Sequence, residues 1–186
     1  MDIDGFIQSS LSGDCCILKK LYEFEKKWGY IPGLGLLDIE PYDGTVLYPP
    51  WTTPRNSLAF ATTGGNDVHF GLVAVAGLYG DPSPIVMTVP TAGDTVDETN
   101  FIVGETLHDF LSLGCAYGFF DIEQLAYSWK TELFERYSHS PSPEDEDAEI
   151  FGKLRAELSL SPWLEIESKL RQLDAKYKPM LQFDAP

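Results

Sequence analysis

Between Trp28 and Trp129 the chain has no lysine, and Arg55 is the one basic side chain in that stretch. The shortage excludes several functions at once. A P-loop needs a lysine followed by Ser or Thr after its glycines, so Gly64-Gly65 reads as a pair of turn glycines and not as a phosphate cradle. Nucleic-acid binding draws much of its affinity from Lys and Arg on phosphates, and is excluded on the same ground. Cysteine is scarce as well. Of the three cysteines, Cys15 and Cys16 are neighbours, and no Cys-x-x-Cys occurs, which excludes a disulfide framework and a zinc or redox motif. No Asn-x-Ser/Thr acceptor is present, and Met1-Asp2-Ile3-Asp4 lacks the basic and apolar regions of a signal peptide. The longest apolar run, Phe70 to Tyr79, contains two glycines and is too short to span a bilayer. These absences together predict a cytoplasmic protein that contacts neither nucleic acid nor membrane.

What the chain does have is acid on a globular background. Hydrophobic residues make up 44% and aromatics 13% of 186 residues, enough to bury the core of one ordinary domain, so the charge is not a sign of disorder. Against 29 acidic residues stand 13 basic ones, a net charge of −16. The imbalance is steepest in the middle, where twelve acidic residues face the single arginine. Such a field keeps a protein soluble and steers basic partners toward it.

Periodicity divides the chain into three zones and predicts an α+β fold. Ile17, Leu21, Phe24 and Trp28 lie on one face of a helix, with Asp14 as its N-cap and Gly29 past its end. From about Leu36 to Val103 short β runs alternate with tight turns: Leu58 to Thr62, Val68 to Ala76, Ile85 to Val89 and Phe101 to Val103, with Thr45 to Tyr48 as a further edge strand. Connections this short favour an antiparallel meander, because parallel crossovers need a dozen or more residues. The remainder is helical. A helix from Leu107 ends at Gly114, and Asp121 with Gln124 caps one that carries Ile122, Leu125, Ala126, Trp129 and Leu133. The acidic run Glu144 to Asp147 starts a helix with Ile150, Leu154 and Leu158, and Ser161-Pro162 opens the last one, striped by Trp163, Ile166, Leu170, Leu173 and Tyr177.

No catalytic or metal site emerges from the spacing. Cys115 sits in an apolar context that reads as buried and inert, and nothing selects His69, His108 or His139 as its base. The isolated histidines do not make a metal site, and no cofactor motif is present. Tyr42, Tyr48 and Trp51 lie near Asp38, Glu40 and Asp43, the ingredients of a carbohydrate-active or sugar-binding site, although any acidic protein supplies them. The other use of the acid is recognition. Asp94, Asp97 and Glu98 fall in a polar connection between strands, and Tyr48 and Trp51, flanked by prolines, are candidate aromatic anchors. Trp51 either packs into the core or stands at this surface. The binding residues are therefore Tyr48, Trp51, Asp94, Asp97 and Glu98.

Three segments carry a family resemblance: Phe60-Ala61-Thr62-Thr63-Gly64-Gly65-Asn66-Asp67-Val68-His69-Phe70, Pro84 to Pro90, and Ile102 to Leu111. They resemble the SUKH superfamily, which includes bacterial immunity proteins and fungal cell-wall synthesis regulators. The resemblance covers roughly Leu58 to Tyr127; the superfamily's usual Leu-Pro opening is reduced here to Trp28-Gly29-Tyr30-Ile31-Pro32. It implies a curved, mainly antiparallel sheet with helices packed on it, one SUKH-like domain over residues 1–186 with 141–186 as a C-terminal helical extension. It also implies a non-enzymatic protein-interaction domain, an immunity protein that neutralises a basic toxin domain. No site residue carries over from the superfamily, whose contacts vary with the partner.

Overall fold

The computed structural model describes residues 15–37, 51–128, 130–139 and 147–183. Asp14, the strand at Thr45 to Tyr48, Trp129 and the acids Glu144 to Glu146 lie outside them.

The architecture is α+β. Helix α1 (Cys16–Trp28) leads to a five-stranded antiparallel sheet in which each strand pairs with its neighbour in sequence: β1 (Gly35–Leu36), β2 (Ser57–Thr62), β3 (His69–Val73), β4 (Ile85–Thr88) and β5 (Asn100–Gly104). A one-turn helix α2 (Val96–Thr99) sits in the β4–β5 connection. Helices α3 (Leu107–Tyr117), α4 (Phe119–Gln124), α5 (Lys130–His139), α6 (Ala148–Leu158) and α7 (Ile166–Tyr177) follow.

The meander arises as the turn chemistry demands. Thr63 to Asp67 reverses the chain with Gly64, Asn66 and Asp67 at positive φ, residue types that tolerate that region. The core is built on Phe110, whose ring lies 4.8 Å from Phe70, 5.5 Å from Phe119 and 6.0 Å from Phe60. Truncating such a buried ring to alanine costs about 3–5 kcal/mol. Phe151, Leu154, Leu158, Leu160 and Trp163 are buried in the same cluster, so the chain beyond residue 147 completes the core.

Several expectations need correction. The helix from Leu107 does not stop at Gly114 but runs on to Tyr117. A Cβ at Gly114 would stand 2.0 Å from the Phe119 ring, so glycine serves there for close packing and not as a stop. The helix drawn through Ile122 and Leu133 is broken by a turn at 125–128. The last helix begins at Ile166 and not at Ser161-Pro162, which leaves Trp163 on an extended approach, where its indole donates to the Asp109 carbonyl. The strand through Val75 ends at Val73; Val75 and Leu78 bridge across a two-residue hairpin and are 44% and 53% exposed.

α7 lies over the outer side of β5. Its Asp174 carboxylate accepts from the Ile102 amide at 2.9 Å, and Glu105, just past the strand, binds Lys176 and Tyr177. A helix laid on a sheet edge, with a carboxylate on its open amide, blocks pairing with another strand.

Candidate functional site

The register brings distant residues to one end of the sheet. Gly35 pairs with Thr62, His69 with Thr88, and Thr88 with Asn100, so the Ile31–Leu34 turn, the Thr63 to Val68 turn and the β4–β5 connection all project past the same last rung. Segment 51–53 joins them there.

A buried polar rung holds it. His69, Thr88 and Asn100 are cross-strand partners, each no more than 1% exposed. The Thr88 hydroxyl donates to the Asn100 side-chain oxygen at 2.8 Å. The Asn100 amide nitrogen then donates to two carbonyls, Thr52 and Val96, each at 2.9 Å. Nδ1 of His69 faces the Asp67 carbonyl at 2.7 Å; a carbonyl only accepts, so Nδ1 carries the proton and Nε2 accepts from the Thr53 hydroxyl at 3.2 Å. Burial pushes the His69 pKa down to about 4, against the bond and charge of Asp67, and keeps the ring neutral. Each of these groups is satisfied, which fixes segment 52–53 on the sheet.

Trp51 is therefore presented outward from a fixed base. At 62% exposure it does not pack into the core. One Asn100 amide grips both Thr52 and Val96, so Trp51 and the loop of Asp94, Asp97 and Glu98 flank a single node. Asp94 and Asp97 point into solvent. Glu98 is exposed but turned back on its own loop. One carboxylate oxygen accepts from the Asp94 and Thr95 amides and from the Thr95 hydroxyl at 2.9 Å, a capping box for α2. The Thr95 hydroxyl bond, then the two amide bonds, hold the Glu98 pKa below the ordinary carboxylate value. Glu98 therefore shapes the loop, and Asp94 and Asp97 present its charge. Lys178 borders this surface, donating to the Asp97 carbonyl at 3.0 Å. Tyr48 lies outside the described residues, as do Asp38, Glu40, Tyr42 and Asp43, so Trp51 alone represents that cluster here.

Two aromatics join the same end that the sequence did not single out. Tyr30 is 57% and Phe120 is 51% exposed, and they flank Gly33. The Gly33 amide donates to the Tyr30 hydroxyl, and a Cβ at Gly33, whose φ is +71°, would lie 2.7 Å from the Phe120 amide. The Phe119-Phe120 pair held a signal, because adjacent helical residues diverge and only one of the two can enter the core. At the junction with α4, Thr63 and Tyr127 both donate to the Glu123 carboxylate.

Elsewhere, polar groups serve the fold. His108 donates to the Leu158 carbonyl at 3.2 Å, and burial raises the Cys115 thiol to about 12, far from a reactive thiolate. Between α1 and α6 is an open hollow of about 270 Å³ lined by Lys20, Glu23, Lys27, Glu157 and Leu158. Its Glu157 carboxylate accepts from Lys27 at 2.7 Å and from the Trp28 indole at 2.9 Å, bonds that lower its pKa. Among the described residues no three His, Cys, Asp or Glu side chains form a metal-binding group, and no helix is long and apolar enough to cross a membrane. Compared with protein-family models, with curated proteins and with solved structures, the chain matched none.

Proposed function

We propose that the chain is a protein-interaction domain, that its docking surface is the last-rung end of the sheet, and that its partner is a basic protein. The observation that carries this reading is Trp51, 62% exposed and held by a buried polar rung beside the loop that presents Asp94 and Asp97. An exposed tryptophan on a rigid base loses little entropy on binding and suits the centre of an interface. Carboxylates at its rim accelerate encounter with a basic partner and reject acidic ones. Tyr30 and Phe120 extend the apolar contact toward β1. The resemblance to the SUKH superfamily points in the same direction, toward an immunity protein covering a basic toxin domain.

The test is affinity capture by the tagged chain at low salt, run beside Trp51→Ala and the double variant Asp94→Lys/Asp97→Lys. The expected result is a basic protein retained by the parent, released by added salt, and lost or at least about tenfold weaker with each variant. Partners retained equally by all three chains would refute this docking surface.

A further inference from the structure

Five lysines that lie over aromatic rings are each also paired with a carboxylate. Lys27 lies 4.6 Å from the Trp28 ring centre and bonds Glu157, and Lys153 approaches that ring at 4.4 Å and bonds Glu149. Lys169 stands 3.8 Å over Trp163 and bonds Asp109. Lys176 lies over Tyr177 and bonds Glu105, and Lys178 lies over Phe101 and bonds Asp174. The physical reason is additive. The ring quadrupole attracts the cation on one side while the carboxylate neutralises it on another, and the cation's remaining donors stay in water.

At Trp51 the ring is free of any such cation among the described residues, and the Asn100 amide ties its neighbour Thr52 to Val96 in the loop that carries Asp94 and Asp97. Trp51 is also the most exposed tryptophan described. Trp28 makes the contrast plain: two of the chain's own lysines lie over its ring, and its indole N–H donates to Glu157. We infer that Trp51 is a receptor for a cationic side chain of the partner, an arginine for preference, which stacks on the indole and points its donors at Asp94 and Asp97. Arginine suits the place better than lysine because its flat, weakly hydrated guanidinium stacks on a ring and still offers in-plane donors to carboxylates. The inference rests on the docking surface proposed above and specifies the group that this surface reads.

The experiment uses the full chain and three short peptides as probes: one rich in arginine, one with each arginine replaced by the neutral isostere citrulline, and one rich in glutamate. Indole N–H signals are followed by NMR at low salt, with the Trp51 signal assigned from Trp51→Phe. The arginine peptide is expected to move the Trp51 signal in a saturable way, and the other two to leave it in place. Trp51→Leu should weaken arginine-peptide binding roughly fivefold or more, and Trp51→Phe by less, following the ring's electrostatic strength. If the arginine peptide binds with the Trp51 signal unmoved, moves the Trp28 signal in its place, or binds Trp51→Leu as tightly as the parent, the receptor inference fails. No saturable binding of the arginine peptide also overturns it. Asp94→Asn/Asp97→Asn separates the two levels. Binding that survives Trp51→Leu but is lost in this pair leaves the acidic docking surface standing, and binding indifferent to both removes both.

Discussion

The loop joining β3 to β4 sends the Asp81 carboxylate inward, whereas the loop joining β4 to β5 keeps Asp94 and Asp97 in water. Asp81 is 7% exposed, and its two oxygens accept from the Ile17 and Leu18 amides, two of the free first-turn donors of α1. Its own carbonyl accepts from Leu107 at the start of α3. One residue thus closes that end of the sheet by tying together the starts of two helices. At the opposite end the tying is done by neutral groups, His69, Thr88 and Asn100, which leaves Asp94 and Asp97 unspent. Carboxylates in one acidic chain therefore differ, some bound into the fold and some left in solvent, and geometry rather than total charge tells them apart. Glu98 stands between, solvent-exposed yet committed to its own loop.

The largest test of this contrast is Asp81→Ala against Asp94→Ala/Asp97→Ala. Removing Asp81 strands two amides at the start of α1 and should cost about 4 kcal/mol, read from urea unfolding. The double change at the other end should stay within about 0.5 kcal/mol. Equal costs would erase the distinction between the two ends.

Next in size is the effect of acid on the buried rung. The His69 pKa is depressed from 6.5 to about 4, so between these values the unfolded chain binds the proton that the folded chain refuses. Its contribution is fully present above pH 6.5 and is lost as pH falls toward 4, about 3 kcal/mol in total. Urea midpoints taken between pH 7 and 4.5 should fall, and His69→Gln should flatten that slope. A parent slope unchanged by the substitution would place the acid sensitivity elsewhere.

The smallest effect concerns the hairpin beyond β3, where Ala76 has φ of +53° in a turn with Gly77. Ala76→Gly should stabilise the fold by about 1 kcal/mol, because a Cβ is strained in that region. A melting temperature that falls would show the methyl group to be making a contact worth more than its strain.

The sheet was legible in the sequence because its strands are local: short β runs and Gly, Asn, Asp and Pro turns determine a meander without knowledge of distant contacts. Trp51 was not. Indole area favours burial, and only the placement of Asn100 under Thr52 and Val96 shows that the ring is carried outward. Asp81 was equally opaque, since its acceptors' partners lie 64 and 63 residues away in sequence. The role of Glu98 was readable, because Thr95-x-x-Glu98 is a capping-box signature; the acidity of the loop concealed it. Gly114 misled for a physical reason. A glycine that ends helices by propensity serves here as the floor for the Phe119 ring.

The cover that α7 lays over β5 has a consequence for synthesis. Ile102 and the Asp174 that accepts from its amide are separated by 72 residues, so the ribosome completes the meander well before the residue that closes its edge. At ordinary elongation rates that interval is roughly 4 to 14 seconds. A meander that pairs within that interval would hold β5 as an open edge strand, the kind of edge that pairs with another chain. The yield of this protein in a cell should therefore depend on translation speed between those two codons, a quantity on which the finished fold bears no mark.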